Sequence, residues 1–87
     1  MEIEFDPAKD VANIRKHGMS LALAKDLEID TANVMQDTRK DYGEDRFIAV
    51  GSLDGRLCVL AFTLRDGKVR AISLRRANPR ERRRFAP

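Results

Sequence analysis

One cysteine and one histidine occur in the 87 residues. Cys58 has no second thiol within the chain, and it stands between Leu57 and Val59, so it reads as a buried thiol. A lone cysteine and a lone histidine do not make the spaced ligand pairs of a zinc site. The chain also lacks a phosphate-binding glycine loop, a dinucleotide fingerprint and a GxSxG elbow. Readings as a metal hydrolase, a nucleotidase or a serine hydrolase therefore start without a motif, and no cofactor is expected. No apolar run is long enough to cross a bilayer. The opening Met-Glu-Ile-Glu-Phe is acidic and unlike a signal peptide. A cytoplasmic location and no membrane partner are the resulting expectations.

What is present is charge, unevenly placed. Residues from Arg65 onward carry nine basic and two acidic side chains, net +7. The first 64 residues carry eight basic and twelve acidic, net −4, which leaves the whole chain at +3. The positive field thus sits on the last strand-helix unit, as binding a polyphosphate requires. A hydrophobic fraction of 43% suits a folded chain, and the length suits a single domain over residues 1–87 with one modest core.

Ile3 and Phe5 alternate with Glu2 and Glu4, a short strand with an acidic face that suits a sheet edge. Asp6-Pro7 then signals a helix start, and Gly18 a left-handed cap after about His17. Ala8, Val11 and Ile14 form the apolar face of that helix. Ser20 caps a second helix expected from Leu21 to about Glu28, with Leu21, Leu23, Ala24 and Leu27 as its stripe. Asn33–Gln36 reads as a strand, and residues 37–43 as a polar loop. Arg46–Leu53, Arg56–Leu64 and Lys68 to about Arg75 are three strands joined by Asp54-Gly55 and Asp66-Gly67. Such Asp-Gly pairs favour tight hairpin turns, so the strands form an antiparallel meander. Asn78-Pro79-Arg80-Glu81 is a capping box opening a short helix to about Phe85. The order β-α-α-(β)-β-β-β-α defines an α+β fold: an antiparallel sheet, two N-terminal helices on one face and a short C-terminal helix.

The arginines are the residues with chemistry to offer. Guanidinium is always charged and grips phosphate with two parallel hydrogen bonds. Strict alternation along the last strand puts Val69, Ala71, Ser73 and Arg75 on one face, and Arg70, Ile72, Leu74 and Arg76 on the other. Ile72 and Leu74 read as the core pair, with Ser73 and Arg75 on the open face. His17 reads as a cap at the helix end, and Glu81 as a member of its capping box. Tyr42, Glu44 and Asp45 precede the first meander strand, where solvated loop roles compete with proton transfer.

At these residues the chain resembles the BrnT family. The series is Phe5-Asp6-Pro7-Ala8-Lys9, Asn13 with Lys16-His17-Gly18, Gly43-Glu44-Asp45-Arg46-Phe47-Ile48, Thr63 with Arg65, Arg70 with Ile72-Ser73, Arg75-Arg76-Ala77 and Arg80-Glu81-Arg82. The resemblance covers nearly the whole chain, in order. It implies a RelE-like fold and a ribonuclease toxin of a type II toxin–antitoxin pair that arrests translation. It implies RNA as substrate and a BrnA-like antitoxin as partner, in a hetero-oligomer of two copies each, with DNA contacted only through the antitoxin. By the same resemblance, catalysis without a metal falls to Arg65 and the Ser73-x-Arg75-Arg76 segment, with Arg70 beside them; proton transfer is left to His17, Glu44 or the RNA and water, and the clustered Arg80 and Arg83 join Arg70 in binding RNA. Phe62 and Phe85 depart from the polar aromatics common in relatives, so neither place supplies a phenol or an imidazole. Two other readings compete: a non-catalytic nucleic-acid-binding module, and a domain whose basic face docks an acidic protein.

Overall fold

The computed structural model describes residues 2–86. Its elements are β1 (Ile3–Glu4), α1 (Pro7–His17), 3-10 helices at Leu21–Asp26 and Ile29–Thr31, β2 (Asn33–Gln36), β3 (Phe47–Leu53), β4 (Arg56–Arg65), β5 (Lys68–Arg76) and α2 (Pro79–Phe85). Across the described residues the strands form one five-stranded sheet, ordered β1-β5-β4-β3-β2. The meander expected from the two Asp-Gly pairs is present. Asp54, Gly55, Asp66 and Gly67 have φ of 50°, 78°, 51° and 76°, the positive values a two-residue hairpin of this hand needs.

The sheet is mixed where an antiparallel one was expected. β1 runs parallel to β5, with Ile3 opposite Val69 and Glu4 opposite Arg70. Its partner lies more than sixty residues away, so no local turn sets its direction. It is an edge strand, as its length and acidic face suggested.

Helix α1 begins and ends as its signals indicate. The Asp6 carboxylate accepts from the Ala8 N–H at 2.9 Å, and Gly18, at φ 71°, donates its N–H to Ile14 O. Its expected apolar face does not enter the core: Val11 is 51% and Ile14 47% exposed, while Asn13 is buried. The second helix is a 3-10 helix rather than an α-helix. Its buried residues, Leu21, Ala24 and Leu27 at its cap, recur every three positions, the period of a 3-10 turn. Asp10 on α1 ties it down by accepting from the Leu21 N–H at 2.7 Å and the Ser20 hydroxyl at 2.9 Å.

Leu21, Ala24 and Leu27 pack on one sheet face against Ala49, Leu53, Leu60, Phe62, Val69, Ala71 and Leu74. On the opposite face, Val50 and Val59 pack with Ala77, Ile48, Leu57 and the α2 residue Phe85. The helical segments therefore lie on both faces. α2 covers part of the face that sequence left open.

One irregularity reorders β5. Ala61 pairs with Ser73 but Phe62 pairs with Ala71, so Ile72 is an extra residue in the ladder. Such a bulge reverses the alternation on its far side. Val69, Ala71 and Leu74 are core residues in consequence, and Ile72 is only partly buried. The expected core pair Ile72 and Leu74 is half right, and Arg70 joins Ser73 and Arg75 on one face.

Candidate active site

The bulge assembles the candidate surface. Arg75 lies opposite Val59, Ser73 opposite Ala61, Arg70 opposite Thr63 and Lys68 opposite Arg65. Odd-numbered residues of β4 share a face, so Arg65, Arg70, Ser73 and Arg75 all project from that face. Arg76 projects from the other one, beside Cys58, and is exposed.

Asn13 sets α1 against this strand. Its amide nitrogen donates to the carbonyls of Leu74 and Met19, both at 2.8 Å, and its oxygen accepts from the Leu74 N–H at 3.1 Å. Lys9, Lys16 and His17 share the Asn13 side of the helix, at positions i, i+4, i+7 and i+8. They border a cleft of about 400 Å³ with Ser73 and Arg75. Among the described residues lining this cleft, none is acidic. The result is a concave site with three permanent or near-permanent cations, one imidazole and one hydroxyl.

Three groups here have shifted acidity. Partial burial, then the charges of Lys16 and Arg75, push the His17 pKa below its ordinary 6.5. That shift favours the neutral imidazole, the form able to accept a proton. Arg75 donates to Glu81 through both terminal nitrogens, at 2.7 and 2.8 Å. Those bonds lower Glu81 to about 2 and raise Arg75 above its usual range, while burial and the Arg39 charge oppose the rise.

Arg65 is elsewhere. It lies six positions along β4 from Val59, the residue opposite Arg75, roughly 20 Å at the rise of an extended strand. It borders a second cleft, of about 370 Å³, with Glu44, Asp45 and Thr63. Arg65 and Arg46 each donate to Glu44 at 3.4 Å. Burial works to raise the Glu44 pKa, but the hydrogen bonds and charges of Arg46 and Arg65 hold it below its ordinary value. Arg46 stacks over the Tyr42 ring at 4.2 Å, and the Tyr42 hydroxyl donates to Asp37 at 2.9 Å. Between the clefts, Arg70 pairs loosely with Glu4 at 3.7 Å. Arg80 and Arg83 are exposed on α2.

The trio read from sequence as catalytic is thus divided among two clefts and the opposite face. Arg75 is the member at the basic cleft, and His17, read as a cap and as one of the groups left for proton transfer, is beside it. Ser73 is on the face where the sequence placed it, and sequence reasoning gave Lys9 and Lys16 no site role. The i, i+4, i+7, i+8 recurrence of Lys9, Asn13, Lys16 and His17 was the available signal, masked by the attention that apolar Val11 and Ile14 draw.

The fold and this basic sheet face define a small α+β domain with an anion-receptive cleft at one sheet edge. Residues 5–81 match the model of the family described as the ribonuclease toxin BrnT of a type II toxin–antitoxin system. The chain belongs to that family. Among solved structures it is similar to the ribonuclease toxin BrnT of Brucella abortus, determined at 1.1 Å, with a TM-score of 0.70 and 28% identity. The similarity covers 90% of this chain and 97% of that one. Among curated proteins, none matches the chain in sequence. Membership in a type II toxin–antitoxin family implies an antitoxin partner. No helix among the described residues is long and apolar enough to cross a membrane.

Proposed function

We propose that this chain is an endoribonuclease that cuts RNA in the cleft between α1 and β5 without a metal ion. The observation that carries the reading is that cleft: Lys9, Lys16, His17, Ser73 and Arg75 around one concavity, with no acidic lining residue among those described. The reaction is attack of a 2′-hydroxyl on the neighbouring phosphorus. The new bond is 2′-O–P and the broken bond is P–O5′. Neutral His17 takes the 2′-hydroxyl proton, and water supplies the proton that the departing 5′-oxygen needs. Negative charge accumulates on the non-bridging oxygens as the bond forms. The Arg75 N–H donors that Glu81 leaves free meet that charge, with Ser73 donating beside them and Lys9 and Lys16 holding adjacent phosphates.

Arg65 and Arg70 contact the RNA further along the same face, and Arg80 and Arg83 extend the attraction over α2. Arg76 contributes charge rather than contact at the scissile bond. The product of this activity in the cell is arrest of translation, in the RelE-like manner of basic residues on a sheet. A cognate BrnA-like antitoxin neutralises the toxin in an assembly of two copies of each, and DNA is bound through the antitoxin alone.

The test is cleavage of a defined RNA by purified protein in EDTA. Arg75→Ala should lower the rate about 10²–10³-fold, as loss of one transition-state donor does. His17→Asn should lower it about 10²–10⁴-fold, the range for a general base. The 5′ fragments should end in 2′,3′-cyclic phosphate. Full activity in both variants removes the assignment. The scarcity of proton-transfer groups in the cleft favours one competing reading, a phosphate-binding module that leaves RNA intact. Salt-sensitive binding with no cleavage would select it.

A further inference from the structure

Glu81 has two jobs in the structure, and only one belongs to its helix. As the third residue of α2, it accepts the Asn78 N–H at 2.9 Å while the Asn78 side chain accepts the Glu81 N–H at 2.8 Å. Those two bonds complete the capping box. The same carboxylate takes both terminal nitrogens of Arg75, at 2.7 and 2.8 Å. Among the described residues the other sheet-face arginines have no such clamp: Arg65 and Arg70 meet single carboxylate oxygens at 3.4 and 3.7 Å.

We propose that Glu81 is a positioning residue that fixes the Arg75 guanidinium in the α1–β5 cleft. The proposal rests on the reading of that cleft as the cleavage site. An arginine side chain is long and rotamer-rich, and a phosphate must otherwise freeze it on arrival. The clamp freezes it beforehand. The reference frame is the sheet itself: Ala77 and Phe85 flank the capping box and pack into the second core with Val50 and Val59, which anchors α2. The chain of contacts runs from that core through the α2 backbone to Glu81 and on to Arg75. The fork remains partly exposed, with 35% of the Arg75 side-chain surface accessible, so a phosphate can reach the donors that Glu81 leaves free. Preorganised donors of this kind act on the transition state without reorganising during the reaction.

The experiment compares wild type, Glu81→Gln, Arg75→Lys, the double variant, Arg75→Ala and Asn78→Ala for kcat and KM on one defined RNA in EDTA. Folded fraction is measured for each by circular dichroism. Glu81→Gln keeps an acceptor for the cap and loses the paired carboxylate. Its kcat should fall on the order of 10²-fold, the cost of a misplaced catalytic group, with KM moving far less. On the Arg75→Lys background the same change should cost nothing further, because the fork it orients is gone. Asn78→Ala weakens the cap alone and should lower melting temperature without lowering kcat. Wild-type kcat in folded Glu81→Gln, with Arg75→Ala inactive, overturns the positioning role and spares the cleft. Additive losses in the double variant, or an Asn78→Ala defect as large as that of Glu81→Gln, overturn it as well. Full activity in Arg75→Ala overturns the cleft assignment and the proposal with it.

Discussion

The carboxamide of Asn13 and the backbone of Leu74 exchange two hydrogen bonds, at 2.8 and 3.1 Å, across 61 residues of sequence. A side chain thus does for β5 what a neighbouring strand residue would do. β1 reaches only as far as Arg70, and beyond it the β5 edge would be open. Asn13 closes it with one residue and, in doing so, brings the Lys9–Lys16–His17 side of α1 to Arg75.

Asn13→Ala should therefore cost both fold and function. It leaves the Leu74 N–H and C=O and the Met19 C=O without their partner in a buried place, at about 1–3 kcal/mol per orphaned group. Chemical denaturation should show a midpoint well below wild type. Asn13→Asp should be comparably harmful, because it loses the two donors and adds a buried charge. A wild-type midpoint for Asn13→Ala would contradict the edge-closing role.

The acidity of His17 sets a pH dependence. Its folded pKa lies below 6.5, so the folded state holds the neutral form at pH values where an unfolded chain would begin to bind a proton. The rising limb of kcat/KM should have its midpoint below 6.5 and disappear in His17→Asn. A midpoint above 6.5, or an unchanged limb in the variant, would remove His17 as the base.

Glu81 gives a stability signature at lower pH. Its folded pKa, about 2, is depressed from an ordinary 4.5. The stabilisation is present above the ordinary value and is lost as pH falls from about 4.5 through 2. Denaturation midpoints measured across that window should fall more steeply for wild type than for Glu81→Gln. Parallel curves would mean that the pair with Arg75 does not form in solution.

Packing makes a further demand at Gly51. A Cβ there would lie 2.9 Å from the Ala32 Cβ and 3.3 Å from the Glu28 carbonyl oxygen. Gly51→Ala should destabilise by about 1–3 kcal/mol, as overpacking does, with cleavage by the folded fraction intact. A melting temperature equal to wild type would show that the Ile29–Thr31 segment yields freely.

Much of this fold was written locally. Asp54-Gly55, Asp66-Gly67, Asp6-Pro7, Gly18 and the Asn78–Glu81 box each carry their geometry in two to four adjacent residues, and all appear where expected. The misses depend on distant partners. The Ile72 bulge has no marker of its own, yet it decides which face Arg70 shares. β1 learns its direction from β5, and Asn13 is buried only because Leu74 needs it. Arg65 and Arg75 looked like one site because ten residues are few in sequence. On a hairpin ladder they sit at opposite ends of the strands.

Cleavage of a short RNA under single-turnover conditions in EDTA, with Arg75→Ala compared against Arg65→Ala, tests the placement of the chemistry. Arg75→Ala should lose on the order of 10²-fold or more in the chemical step. Arg65→Ala should bind RNA more weakly, a defect relieved at saturating RNA. A chemical step untouched by Arg75→Ala and abolished by Arg65→Ala would move the active site to the other cleft and contradict the account.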